Sequence, residues 1–230
     1  MVEHLIDVER VRCSSPLSRT SNIKVIIMDL KSTYNRIAED WAKDHKDDIW
    51  WKKGTDKFAS LLMPGASLLD VGCGAGIKSK YFAEKGFKVT GVDFSEGMLK
   101  IAKREVPSAH FFVKGILEIE TLENEFDAIY VQAVLLHVPK ERVEFVLEKL
   151  KNKLTPNGIL YLGVKEVRPN APDEEVVRED DYGYDYERFF SYFTKAEMED
   201  YVNKIGLELV WTNISSSGKT NWIEMIVRNT

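Results

Sequence analysis

The stretch SLLDVGCGAGIKSKYFAEKG, Ser67 to Gly86, constrains the fold of this chain more than any other. Apolar residues run into three alternating glycines, Gly72, Gly74 and Gly76, and a helical pattern follows. A glycine-rich turn between strand and helix brings backbone close to a nucleotide-like ligand, because no side chain stands in the way. The same order then repeats. Strand-like Lys88–Phe94 leads to helix-like Glu96–Glu105, with Ser95 placed to cap it, and strand-like Ala109–Lys114 follows. Strand-like Phe126–Gln132 leads to helix-like Lys140–Leu154, and after the turn Thr155–Gly158 a further strand runs to Val167. Strand–helix alternation of this kind calls for an α/β fold, with a parallel sheet covered by helices on both faces.

The flanks read differently. From Asp29 to Met63 the pattern is helical, with Tyr34, Ile37, Ala38 and Trp41 at helical intervals, and Pro64–Gly65 ends it. Residues 1–27 carry only weak periodicity. They admit three readings: a mobile arm, a helix that packs on a partner, or a leader ahead of a true start at Met28. The organisation expected is therefore an arm over 1–27, a helical lid over 28–66 and a core over 67–230. Within the core, 167–193 interrupts the alternation. This acidic, tyrosine-rich insertion at the end of a parallel strand reads as a second lid, with Asp173–Asp181 a solvated charged face. Thr194 with Glu197 three residues on forms a capping box for a last helix, and two strands, Leu207–Ser215 and Asn221–Arg228, close the chain as a hairpin.

Composition narrows the function classes. The net charge of -5 argues against a dedicated nucleic-acid binder, which carries a basic face. The two cysteines, Cys13 and Cys73, stand in no metal-ligand spacing and read as free thiols in a reducing compartment, with no metal expected. Apolar runs fall far short of the roughly 20 residues of a membrane span. Ile23–Leu30 is too short and wrongly flanked for a signal peptide, so the expected location is cytoplasmic.

Chemistry starts at the glycine turn. A dinucleotide turn reads G-x-G-x-x-G/A, but here the sixth position is Ile77 and the third glycine comes one residue early. Asp70, just ahead of the turn, repels a pyrophosphate and suits an ammonium or a hydroxyl. Asp93, roughly 20 residues beyond the glycines, suits a ribose diol. Its other reading is a cap for the helix that follows. The turn is thus adapted to an adenosyl cofactor without phosphate.

Together LLDVGCGAG, GVDFSEGML, FDAIYVQAVLLHV and LTPNGILYL resemble, in order and spacing, the class I S-adenosylmethionine-dependent methyltransferase family, over roughly Tyr34 to Arg228. The resemblance implies a Rossmann-like three-layer sandwich with a seven-stranded, mostly parallel sheet whose last strand is antiparallel. It implies that the backbone of Gly72, Cys73 and Gly74 passes the methionine part of the cofactor and that Asp70 faces its ammonium. Asp93 would hold the ribose, Phe94 and Met98 would pack on adenine, and Gln132 and Ala133 would approach the sulfonium. Tyr34, in an entry helix like the family's, would meet the cofactor carboxylate. The family often carries Gly-Asp after the third strand. Here Ile116 replaces that Asp, leaving the backbone of Ile116 and Leu117, with Glu118, to meet the adenine edge.

His137, just past the fourth strand, is the candidate general base; the competing reading has it brace the loop before Pro139. Trp50 in the first lid, and Tyr184 and Arg188 in the second, are candidate substrate contacts, since rings and a fixed charge suit a small aromatic, amine or carboxylate. For Arg188 the competing reading is a salt bridge to nearby acids. The function expected is methyl transfer from S-adenosylmethionine, with S-adenosylhomocysteine as product, to a small-molecule acceptor by a monomer or homodimer. Rivals are an RNA-modifying methyltransferase, an NAD-linked oxidoreductase and a non-catalytic cofactor-binding protein.

Overall fold

The computed structural model describes residues 21–230, with side chains from Leu30 onward. The readings of the arm over 1–20 and of Cys13 lie outside the described residues. The helices are α1 (Ser21–His45), α2 (Lys52–Ala59), α3 (Ile77–Glu84), α4 (Glu96–Glu105), α5 (Lys140–Lys151) and α6 (Lys195–Lys204). The strands are β1 (Ser67–Val71), β2 (Lys88–Asp93), β3 (His110–Val113), β4 (Phe126–Gln132), β5 (Leu154–Lys165), β6 (Glu174–Glu179), β7 (Tyr186–Ser191), β8 (Glu208–Ser217) and β9 (Thr220–Arg228). Seven strands form one sheet in the order β3-β2-β1-β4-β5-β9-β8. The first five are parallel, and β9 runs antiparallel to both β5 and β8.

The near-continuous apolar runs resolve by their two-residue period into two faces. On one, Leu69, Ile129, Val131, Leu160 and Leu162 pack under Val143, Val146 and Leu150 of α5 and Met198 and Val202 of α6. On the other, Leu68, Ala128, Tyr130, Ile159 and Tyr161 pack under Phe58 of α2 and Phe82 of α3. Each such side chain contributes about 1.5–3 kcal/mol on burial. The result is the Rossmann-like three-layer sandwich. Strand order reverses between β1 and β4, so the crevice falls at their carboxyl ends.

Three boundaries depart from expectation. α1 runs unbroken from Ser21, through the boundary drawn at 28, because no Gly or Pro interrupts residues 21–45. The turn expected at Thr155–Gly158 is carried inside β5 as a bulge opposite Phe126 and Ala128, with Asn157 at φ 63°. The insertion is a regular antiparallel hairpin of β6 and β7, not an aperiodic segment. Glu175, Val177 and Glu179 face inward along β6 while Glu174, Val176 and Arg178 face out. Charged residues on both faces erase the apolar alternation that marks a strand. The segment expected to be a solvated face, Asp173–Asp181, thus turns two of its six acids, Glu175 and Glu179, inward.

The two lids meet. α1 is pinned to the start of α4 by Asn35, whose Oδ1 accepts from Ser95 Oγ (2.8 Å) and the Gly97 amide (2.9 Å). Its other side holds the hairpin: Thr33 Oγ1 donates to the Glu187 carbonyl (3.2 Å), and Arg36 donates to that of Asp185 (3.3 Å). Between them they roof the crevice.

Candidate active site

The crevice is a cavity of about 730 Å³ at the carboxyl ends of β1, β2, β4 and β5. The glycine turn forms its floor. Gly72 sits at φ 64°, where a Cβ would lie 2.4 Å from Val134 Cγ2. Gly76, at φ 83°, lets α3 start against α4: a Cβ there would be 3.0 Å from Ala102 Cβ. The early third glycine therefore serves helix packing, the role a dinucleotide turn gives to its sixth position.

Two carboxyls face this floor. Asp93 accepts the Gly74 amide on one oxygen (2.9 Å) and the Ser95 amide on the other (2.8 Å). Burial pushes it up to about 6, against those backbone donors. Asp93 thus steadies the start of α4 and also lines the cavity, while Ser95 is the cap, accepting the Met98 amide at 3.1 Å. Asp70 accepts from Ser79 Oγ at 2.6 Å, and burial pushes it up to about 7. Lys78, on the first turn of α3, lies near Asp70 and Asp48; burial lowers its pKa. Its ammonium sits 5.5 Å from the Trp51 ring and 5.9 Å from that of Trp50. Cys73 is buried, its thiol pushed well up by burial, and its amide donates to the Val92 carbonyl (3.0 Å).

Phe94, Met98, Ile116, Leu117 and Glu118 line the next stretch. Ile116 opens a short 3₁₀ helix that Glu118 caps, its Oε2 accepting the Gly115 amide (2.9 Å), so one carboxylate oxygen is turned away from the role foreseen for it. At the end of β4, the side-chain amide of Gln132 is buried and neither of its polar atoms has a hydrogen-bond partner. Ala133 follows in the left-handed region at φ 59°, where its amide N–H donates a hydrogen bond to the Gly163 carbonyl (2.9 Å). Unpaired polar groups and such backbone collect at sites built for a ligand.

The far end is made of side chains. Tyr34 Oη donates to His137 Nε2 (2.8 Å) and accepts from Arg188 (3.2 Å). His137 Nδ1 lies 2.7 Å from the Phe189 carbonyl, which can only accept, so Nδ1 carries the proton and Nε2 is the acceptor. Burial, with Arg188 and Lys165 adding to it, pushes His137 down to about 3 and keeps it neutral. Arg188 makes a bidentate bridge to Glu179, 2.6 Å on each side, the competing reading offered for it. Trp50 stacks on Trp222 with ring centroids 4.4 Å apart. Tyr184 does not line the cavity: at the hairpin tip its ring lies 3.9 Å beneath the Arg36 guanidinium, and its hydroxyl donates to Asp40 (3.3 Å). The expectation that it contacts substrate is thereby corrected, because α1 takes up its stacking face.

The other foreseen residues, Tyr34, Asp70, Gly72, Cys73, Gly74, Asp93, Gln132, Ala133, His137, Trp50 and Arg188, all line the cavity. Sequence reasoning passed over Lys78, Lys165 and Trp222, which line it as well. The usable signal for Lys165 was its place at the carboxyl end of the strand after the fourth. Among the described residues there is no His, Cys, Asp and Glu group able to hold a metal, and no helix long and apolar enough to cross a membrane.

Residues 69–162 match the family model described as "Methyltransferase domain". The chain is 34% identical over 149 residues to a putative methyltransferase, YqeM, of Bacillus subtilis, covering 60% of this chain and 59% of that one. It is 31% identical over 118 residues to a ubiquinone biosynthesis O-methyltransferase of Xanthomonas campestris, covering 49% and 48%. The matches thus span about half the length of these curated relatives. A Burkholderia thailandensis 1,6-didemethyltoxoflavin-N1-methyltransferase, solved with 1,6-didemethyltoxoflavin and S-adenosylhomocysteine, shares the fold across 97% of this chain and 95% of its own, at a TM-score of 0.74 and 20% identity. With the glycine turn, the reversed strand order and the antiparallel β9 in place, residues 69–162 are similar to the methyltransferase domain, and the fold is the one shared with the Burkholderia enzyme.

Proposed function

We propose that the protein transfers a methyl group from S-adenosylmethionine to a small-molecule acceptor. The observation that carries this is the Gln132 amide, buried, unpaired and facing the same cavity as the glycine floor and the two raised carboxyls. A floor that tolerates no Cβ at Gly72, with the carboxyl pKa values of Asp70 and Asp93 raised by burial, fits a ligand with an ammonium and a ribose diol.

Asp93 accepts from the ribose hydroxyls through its free lone pairs, and Asp70 faces the ammonium. Lys78, beside Asp70, supplies the positive charge for the cofactor carboxylate, because the Tyr34 hydroxyl is already taken by His137 and Arg188. Phe94 and Met98 pack on adenine, and the backbone of Ile116 and Leu117 follows its edge. Gln132 and Ala133 stand at the reacting end. When bound, the cofactor supplies a methyl group already activated by a sulfonium, so the protein's main task is alignment, an effect able to supply about 7–11 kcal/mol. His137 is neutral and both its nitrogens are engaged, so it acts as a positioning residue that fixes Tyr34 and ties the end of β4 to the hairpin.

The test is calorimetry with S-adenosylhomocysteine on the full chain, followed by incubation of methyl-labelled S-adenosylmethionine with a metabolite extract and with bulk tRNA. Binding with label in the metabolite fraction is expected. Label in tRNA alone would transfer the activity to RNA, and binding with no transfer to either would reduce the protein to a cofactor binder.

A further inference from the structure

At the acceptor end almost every polar group is committed to a partner. Arg188 is spent on Glu179, both nitrogens of His137 are used, and the Tyr34 hydroxyl both donates and accepts. Beside the Gln132 amide, Lys165 is the charged exception. It ends β5, opposite Trp222 of β9 in an antiparallel pair, so the two side chains share a face of the sheet. Its ammonium lines the cavity 4.1 Å from the Phe190 ring centroid, and among the described residues its side chain makes no hydrogen bond or ion pair. Around it stands an apolar slot of Leu136, Phe190, Trp222 and Trp50. Ala133, at the reacting end, packs against the same cluster, so the slot begins where the methyl group is delivered.

From this juxtaposition we infer that the acceptor is a planar molecule carrying a carboxylate, its ring lying among Trp50, Trp222 and Phe190 and its carboxylate paired with Lys165. The inference rests on the methyl-transfer reading above only for where the reacting end lies. An ammonium drawn off water without an anion is unfavourable, and one carboxylate reverses that. The pKa of Lys165 follows suit: burial, with the charges of Arg188 and Arg168, lowers it to about 8, and Glu179 and Glu175 offset only part of this. A cationic acceptor would meet Lys165 and Arg188 as like charges. A neutral one would leave the ammonium unpaired. The flat aromatic walls favour a ring over an aliphatic acid.

The test uses matched acid and amide probes, 4-hydroxybenzoate against 4-hydroxybenzamide and 1-hydroxy-2-naphthoate against its amide, titrated by calorimetry into the full chain with and without S-adenosylhomocysteine. The acid is expected to bind about tenfold or more tightly than its amide. In Lys165→Met the two should bind within about threefold of each other, with S-adenosylhomocysteine affinity unchanged, and Lys165→Arg should retain most of the preference. Amides binding as well as acids, no binding by either acid, or a preference that survives in Lys165→Met would overturn the inference. If Lys165→Met does not fold, the wild-type acid-to-amide ratio and its retention in Lys165→Arg decide. A chain that ignores S-adenosylhomocysteine yet prefers the acids would sink the methyl-transfer reading and leave the carboxylate site standing.

Discussion

The two ends of the cavity are charged in opposite senses, and each is left incomplete. At the floor, Asp70 and Asp93 are carboxyls buried with hydrogen-bond donors but too little positive charge. Under the lids, Lys165 is a cation without an anion. The floor is built by backbone at the ends of three neighbouring strands. The acceptor end is built by side chains from segments as far apart as Tyr34 and Arg188. The difference fits the proposal that one cavity takes two ligands, one bringing an ammonium and hydroxyls to a fixed backbone frame and the other a negative charge to a frame that side chains hold shut.

The largest effect is expected from breaking that second frame. Arg188 and Glu179 are shielded, with side chains 16% and 14% exposed. Arg188→Met leaves Glu179 as a buried, unpaired charge and removes a donor from Tyr34, so a loss of about 3–5 kcal/mol of stability is expected in urea unfolding. Arg188→Met with Glu179→Leu should recover most of it, because the uncompensated charge goes too. Full loss in the double variant would show that the pair works through its contacts to Tyr34 rather than through charge balance.

Next comes the floor. Asp93→Ala should weaken S-adenosylhomocysteine by about tenfold or more, since it removes the acceptor proposed for the ribose and frees the Gly74 and Ser95 amides. Calorimetry showing unchanged affinity would reduce Asp93 to its structural part. The acid-over-amide preference at the other end should survive this change, because the ends do not share residues. If both fall together, the cavity is one unit and the comparison fails.

Most of the sheet is legible in the chain itself, and so is most of the floor. The reason is locality. Asp70 and Gly72 act within one strand–turn–helix unit and Asp93 and Ser95 within the next, whose strand pairs beside it, so spacing along each unit places them. The hairpin of β6 and β7 is not legible that way, because Glu175 and Glu179 stand on its inward face where an apolar residue would mark a strand. Tyr184 shows the same limit from the other side: its ring suits a ligand, but only the docking of α1 decides that Arg36 takes it. Lys165 becomes conspicuous only once β9 sets Trp222 opposite and Arg188 is seen to be spent.

A smaller effect distinguishes the ends by pH. Asp70 and Asp93 are held at about 7 and about 6, above their ordinary 3.8, by burial. The folded chain therefore binds their protons more readily than the unfolded chain does. Their contribution to stability is complete below about pH 4 and is lost as pH rises through 6 and 7. A ligand that brings an ammonium and hydroxyl donors favours the ionised carboxylates. The rise in Tm produced by S-adenosylhomocysteine should therefore be larger at about pH 8 than at about pH 5. An equal rise at both would mean that neither carboxyl faces the ligand.

The smallest effect is expected at His137, which stands between the ends. Its Nδ1 proton goes to the Phe189 carbonyl and its Nε2 lone pair to the Tyr34 hydroxyl, and its pKa near 3 leaves nothing to titrate in the neutral range. His137→Ala should thus change S-adenosylhomocysteine affinity by no more than about threefold, since the floor does not depend on it. Any limb of the wild-type pH–rate curve between about pH 6 and 8 should persist in the variant, because Asp70, Asp93 and Lys165 titrate there and His137 does not. A limb that vanishes with the imidazole would make His137 the general base after all. Tyr34 would then have to release Nε2 when the acceptor enters, and the side-chain frame at this end would be one that opens during the reaction instead of one that holds still.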